Sequence, residues 1–81
     1  MTSIRLVEIV QDEYICVEGF TIKRMPWGET PNGNPFAGRW VLHDAQGVYI
    51  DHDQYRTDLM ERNGFNSTTF TIAQFLEKEF A

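Results

Sequence analysis

The chain has 81 residues, 42% of them hydrophobic and 14% aromatic, which is enough for one folded core and too little for two. Its formal net charge of −5 argues against direct binding to nucleic acid, because phosphates are bound by lysine and arginine, and against attraction to anionic membranes. We therefore expect a single domain over residues 1–81 whose partner is neither nucleic acid nor a membrane.

The single cysteine, Cys16, excludes an intramolecular disulfide and with it a secreted disulfide scaffold. Cys16 lies in an apolar run, where a free thiol packs as a small hydrophobic side chain. Residues 1–5 lack the pattern of a signal peptide, and no apolar run approaches the roughly 20 residues of a membrane-spanning helix. These features predict a cytoplasmic protein.

The first third of the chain predicts strands. Residues 4–10 form a short apolar run rich in β-branched side chains, and the polar residues 11–13 fit a tight hairpin. Apolar side chains alternate again over residues 14–25. Gly19 interrupts this alternation, which predicts either one long kinked strand or two short ones.

A long loop is predicted over residues 26–38, which hold all 3 prolines of the chain and half of its 6 glycines. Such a density of helix and strand breakers predicts neither element inside the loop. Loops of this length are usually functional or disordered. Because disordered linkers usually lack aromatic residues, Trp27 and Phe36 favour a loop that is at least partly ordered.

Residues 39–65 carry the clearest local signals, for a hairpin followed by a helix. Trp40–His43 and Val48–Ile50 predict two strands, with Trp40 in the core. Asp44–Gly47 predicts the turn between them, since Asp can bond its own backbone and Gly tolerates a positive φ.

The first helix is expected to begin at Asp51, with Gln54 closing a capping box. Asn63–Gly64 should end it, because both residue types tolerate a left-handed cap. The side chains expected to face inward are Tyr55, Leu59 and Met60.

A second helix is predicted after a polar connector over residues 66–69. Thr71 should cap it, with Gln74 closing another capping box. Its apolar stripe follows helical spacing and consists of Ile72, Phe75, Leu76 and Phe80.

The order of these elements predicts an α+β fold. We expect about four strands (β-β-β-β) in a small antiparallel meander, followed by two C-terminal helices packed on one face.

The best functional candidate is the aromatic loop, with Trp27, Phe36 and Arg39 as the partner-binding residues. Aromatic residues and arginine dominate the energetics of protein interfaces. This group predicts a non-catalytic protein-binding module whose partner is another protein. The competing interpretation is that Trp27 and Phe36 fold back over the open end of a small core.

An acidic surface around the first helix supports an alternative function, an inhibitor that imitates nucleic-acid charge against a nucleic-acid-handling protein. Small acidic proteins of this kind are typical of phages and mobile elements. The residues of this surface are Asp44, Asp51, Asp53, Asp58 and Glu61.

A third hypothesis is a small metal-binding or enzymatic domain that uses His43 and His52. Their spacing matches no known metal motif, and no nucleophile elbow or phosphate loop is present. We therefore predict no catalytic, metal or cofactor site. Homodimerisation through an edge strand is compatible with all three hypotheses.

Overall fold

A six-stranded mixed sheet carries the fold in the computed structural model, which describes residues 2–80. The elements in chain order are β1 (Thr2–Val10), β2 (Glu13–Cys16), β3 (Thr21–Met25), β4 (Gly28–Glu29), β5 (Pro35–Phe36), β6 (Arg39–His43), β7 (Tyr49–Asp53), α1 (Arg56–Arg62), β8 (Phe65–Thr71) and α2 (Ile72–Phe80). The strand order is β7-β6-β3-β2-β1-β8, and β4 pairs with β5 in a separate hairpin. Residues 1 and 81 and the side chain of Phe80, a member of the predicted apolar stripe, lie outside the described part of the chain.

The predicted α+β class is confirmed, but the predicted four-stranded antiparallel meander is only partly right. The additional strand at one edge is β8, which pairs in parallel with β1, whereas the other neighbours are antiparallel. Residues 66–69, predicted to be a polar connector, lie inside β8. Polar side chains are tolerated there because an edge strand leaves many of them in water, and threonine favours strands.

The core lies on one face of the sheet, which we call the core face, with α1 packed against it. The chain crosses this face between β7 and β8, so α1 links the two edges of the sheet. Leu59 and Met60 of α1 are buried, as predicted, but Tyr55 is 58% exposed and does not face inward. The buried strand side chains of this core are Ile4, Leu6, Tyr14, Cys16, Ile22 and Leu42.

The opposite face, which we call the second face, is covered at its two ends by different elements. At the β1/β8 end, α2 packs through Lys78, whose Nζ lies 5.2 Å from the Phe70 ring centroid, and through Glu79, which binds Arg5 at 2.9 Å. At the β6/β7 end, the β4–β5 hairpin places Phe36 over His52. The two helices therefore lie on opposite faces, and the prediction that both pack on one face is wrong.

Several local predictions are confirmed by hydrogen bonds. The Asp44 carboxylate accepts from the amides of Gln46 and Val48, both at 2.9 Å, in the turn between β6 and β7. Thr71 and Gln74 form the predicted capping box, since the amide of each donates to the side chain of the other at 3.0 and 3.1 Å. Side chains that bond backbone close by in sequence are thus predicted well.

The predicted start of the first helix is wrong. Asp51 lies in β7, and α1 begins at Arg56 after Tyr55 as N-cap. The Asp51 carboxylate instead accepts hydrogen bonds from Arg62 and Asn63, which are distant in sequence. The end of the helix is as predicted, with Asn63 as C-cap and Gly64 at a φ of +78°.

Neither helix within residues 2–80 is long and apolar enough to cross a membrane.

Candidate functional site

The loop over residues 26–38 is an ordered hairpin. Gly28 pairs with Phe36 and Glu29 with Pro35, so short strands form where none was predicted. Pro35 is tolerated because it stands at the first position of its strand. The tip is closed by Thr30 and Asn34, whose backbones bond at 2.9 Å, with the Thr30 hydroxyl accepting from the Asn34 amide at 3.1 Å.

Phe36 anchors this hairpin to the second face. Its side chain is 9% exposed, and its ring centroid lies 4.7 Å from that of His52. Gly28 lies against the same ring, where a Cβ atom would come within 2.6 Å of the Phe36 Cζ. Val41, which is paired with His52 in the sheet, is only 1% exposed. Phe36 therefore packs between the hairpin and the sheet. This agrees, for Phe36, with the interpretation that the loop folds back over the core.

Trp27 takes the opposite position, at the base of the hairpin and in solvent. At 63% it is the most exposed large hydrophobic side chain of the described residues. The carbonyl of Pro26 accepts from the Gly38 amide at 3.2 Å, which ties the two ends of the loop together. The neighbouring Arg39 is partly exposed in β6. Of the three predicted contact residues, Trp27 and Arg39 thus remain accessible.

A groove of about 520 Å³ lies beside the base of the hairpin. Arg24 and Asp12 belong to its wall, and the Arg24 amide donates to the Asp12 carbonyl at 2.9 Å. The position of Arg24 beside Asp12 follows from the antiparallel pairing of β2 with β3, in which Glu13 is opposite Lys23.

The five residues of the predicted acidic surface have different environments. Arg62 binds both Asp51 and Asp53, the former at 2.8 Å, so a cation lies between these two carboxylates. Asp44 holds its own turn. The remaining two, Asp58 and Glu61, are exposed on α1.

The hydrogen bonds of this cluster lower the pKa of both β7 carboxyls. Burial acts to raise the pKa of Asp51, but donors from Arg62, Asn63 and the His52 amide outweigh it. The pKa of Asp53 is lowered first by the Tyr55 amide and then, against some burial, by Arg62. Both carboxylates therefore serve the fold, and the exposed negative charge around α1 is smaller than the sequence suggests.

The two histidines lie near each other on the second face, separated by Tyr49. The Tyr49 hydroxyl and His52 Nδ1 form a hydrogen bond of 2.7 Å, while the ring of His43 lies 6.5 Å from that of Tyr49. Burial and the charge of Lys23 lower the pKa of His43 against the effect of Asp44. Among residues 2–80, no three His, Cys, Asp or Glu side chains are grouped to hold a metal ion.

Cys16 is buried as a free thiol on the core face. Its Sγ donates to Glu18 at 3.3 Å, and burial is the main cause of its raised pKa. A raised pKa suppresses the reactive thiolate, so the structure agrees with a packing role for Cys16.

Comparison of the chain with protein-family models, with curated proteins and with solved structures finds no match.

Proposed function

We propose that this chain is a small, non-catalytic protein-binding module that acts in the cytoplasm and recognises a protein partner through Trp27 and the β4–β5 hairpin. The observation that carries this proposal is the 63% exposure of Trp27 on a hairpin that is itself anchored to the sheet.

An exposed tryptophan on an ordered loop is well suited to recognition. Covering its apolar surface with a partner supplies about 2–3 kcal/mol, and a tryptophan has few torsions to restrict. Because Phe36 and the Thr30–Asn34 bonds already hold the hairpin, little further entropy is lost when a partner binds. The loop therefore combines a large apolar contact with a preorganised backbone.

The surroundings of Trp27 supply polar groups of the kind found at the rim of an interface. Arg39 on one side and Arg24 with Asp12 in the adjacent groove offer charged donors and acceptors. These groups favour a partner segment that has an apolar side chain for Trp27 and polar or charged groups beside it.

The test is affinity capture from a lysate of the source organism, comparing the unchanged protein with Trp27→Ala. Tyr55→Ala is the matched control, because Tyr55 is an aromatic residue of similar exposure (58%) at the start of α1. We expect Trp27→Ala to lose the captured protein and Tyr55→Ala to keep it, with both variants melting near the temperature of the unchanged protein.

Washes at low and high salt separate this proposal from the acidic inhibitor. Apolar capture through Trp27 should persist at high salt, whereas contacts between exposed charges are screened within about 8 Å at physiological ionic strength. A protein kept by Trp27→Ala but released by salt would instead favour the acidic residues Asp58 and Glu61 and a nucleic-acid-handling partner. A large drop in the melting temperature of Trp27→Ala would show that Trp27 stabilises the folded protein and would contradict its proposed role in partner binding.

A further inference from the structure

We propose that β8 is the interface of a homodimer, in which two copies of this chain pair their β8 strands antiparallel about a two-fold axis. The inference does not depend on the proposed role of Trp27, which lies on the hairpin at the other end of the sheet. It commits to a second copy of this chain as the occupant of the edge.

The first argument is the state of the β8 backbone. In a strand that is paired on one side only, every second residue directs its N–H and C=O away from the sheet. Apart from the ladder to β1, no hydrogen bond within residues 2–80 involves the backbone of Phe65 to Phe70. The strand has 7 residues, and it contains no proline, bulge or charged side chain that would hinder pairing with another strand.

The second argument is electrostatic and favours a second copy. Each chain carries a net charge of −5, so two copies repel each other over most of their surface. From Asn63 to Leu76, however, the chain has no ionisable side chain, and this is the longest such run in the sequence. The two β8 strands can therefore pair without placing ionised side chains of the strands themselves opposite one another.

The third argument is the apolar surface that follows the strand. Ile72 and Leu76 of α2 are 44% and 47% exposed, which is unusual for the apolar stripe of a helix. A groove of about 580 Å³ lies between β8 and α2, with Phe70 in its wall and Gln74, Glu77 and Lys78 on the helical side. A two-fold pair brings both copies of α2 to the shared edge, since each α2 follows directly from β8.

The pairing can be tested at Thr68, the midpoint of β8. In an antiparallel pair centred there, the two Thr68 side chains lie opposite each other on the same face. Thr68→Lys places two ammonium groups together, and Thr68→Glu places two carboxylates together. An equimolar mixture of the two variants places opposite charges at the axis instead.

Sedimentation velocity measures the fractions of monomer and dimer over a range of protein concentrations. The range extends to about 1 mM, which corresponds to weak specific association. We expect the unchanged protein to shift from monomer to dimer as its concentration rises. Each Thr68 variant should self-associate about fivefold more weakly or worse, and the mixture should recover dimer. The matched controls Gln46→Lys and Gln46→Glu change the same charges in the exposed β6–β7 turn and should dimerise like the unchanged protein.

Folding effects are separated from interface effects by Arg5, which is the cross-strand neighbour of Thr68. Arg5 is bound by Glu18 and Glu79, and a lysine and a glutamate at residue 68 interact with this charged cluster with opposite signs, so they change the stability of the monomer in opposite directions. Circular dichroism melts record these opposite changes, so a loss of dimer in both variants cannot arise from stability. An unchanged protein that stays monomeric, Thr68 variants that dimerise normally, or a mixture that does not recover would each overturn the proposal.

Discussion

The two edges of the sheet manage their backbone hydrogen-bonding groups in opposite ways. At β7, the carbonyl of His52 accepts from Arg62 at 2.7 Å, and its amide donates to the Asp51 carboxylate at 2.8 Å. Side chains thus bond both the amide and the carbonyl of His52, the fourth of the five residues of this edge strand. At β8, the described residues provide no such partners between Phe65 and Phe70.

The coverage of the second face follows the same division. At the β7 end, Phe36 lies on His52 and excludes water from the sheet below. At the β8 end, Lys78 and Glu79 of α2 contact Phe70 and Arg5 and Phe75 is partly buried, while Ile72 and Leu76 remain exposed. A closed end and an open end on one small sheet suggest that the open end serves association, since an exposed edge otherwise favours uncontrolled pairing.

The largest expected effect comes from removing the aromatic cover at the closed end. Phe36→Ala should destabilise the protein by about 3 kcal/mol, because it leaves a cavity above His52 and releases the hairpin. Phe70→Ala, the equivalent change at the open end, should cost only about 1 kcal/mol, because its ring is already partly exposed. Urea unfolding of both variants measures the difference.

Gly28→Ala provides an independent check of the same contact. The added Cβ would clash with the Phe36 ring at 2.6 Å, so this small change at a buried residue should also destabilise the protein. Equal costs for Phe36→Ala and Phe70→Ala would contradict the division into a closed and an open end.

A smaller effect is expected from removing the arginine that closes the β7 edge. Arg62→Gln should cost about 1 kcal/mol, since the side chain is half exposed and its two ion pairs are partly screened by solvent. The loss should shrink when the unfolding is repeated at high salt. Arg24→Gln, which removes the same charge from an exposed position of β3, is the control and should change stability little.

The hydrophobic alternation and turn chemistry predicted much of the local structure. Asp44 and Gln74 were identified correctly because each bonds a backbone group within four residues of itself. The same reasoning gave a wrong prediction for Asp51, which does not cap a helix. Its carboxylate binds the guanidinium of Arg62, which lies 11 residues away in sequence. A sequence pattern alone does not show which of two partners, local or distant, a side chain will bind.

In the candidate site too, local features were predicted from the sequence and features that depend on distant contacts were not. The sequence indicated that residues 26–38 were ordered, and it singled out Trp27, which the structure leaves exposed. It did not separate Trp27 from Phe36, because the difference between them arises from the pairing of β6 with β7 and from His52 beneath the hairpin. The polar stretch inside β8 was also mistaken for a connector, since a strand at an open edge lacks the alternation of a half-buried one.

The smallest expected effect concerns a carboxylate at the open end, Glu18, and depends on pH. The Arg5 amide donates to the Glu18 carboxylate at 2.9 Å, and this bond is the main cause that lowers the pKa of Glu18 from 4.5 to about 2. Burial opposes this change, whereas hydrogen bonds from the Arg5 guanidinium and the Cys16 thiol lower the pKa further. Because the folded pKa lies below the unfolded value, the ionised carboxylate stabilises the fold at every pH above about 4.5. This stabilisation is lost progressively as the pH falls towards about 2.

Glu18→Gln should therefore be less stable than the unchanged protein near neutral pH, and the difference should shrink as the solution is acidified through this range. Urea unfolding at a series of pH values measures it, with Glu77→Gln, an exposed carboxylate of α2, as the control. Asp51 and Asp53 titrate in the same direction, since Arg62 and local amides also lower the pKa of each, but they are present in both proteins and cancel in the difference. A stability difference that is independent of pH would mean that Glu18 acts at the open end through its packing and not through its charge.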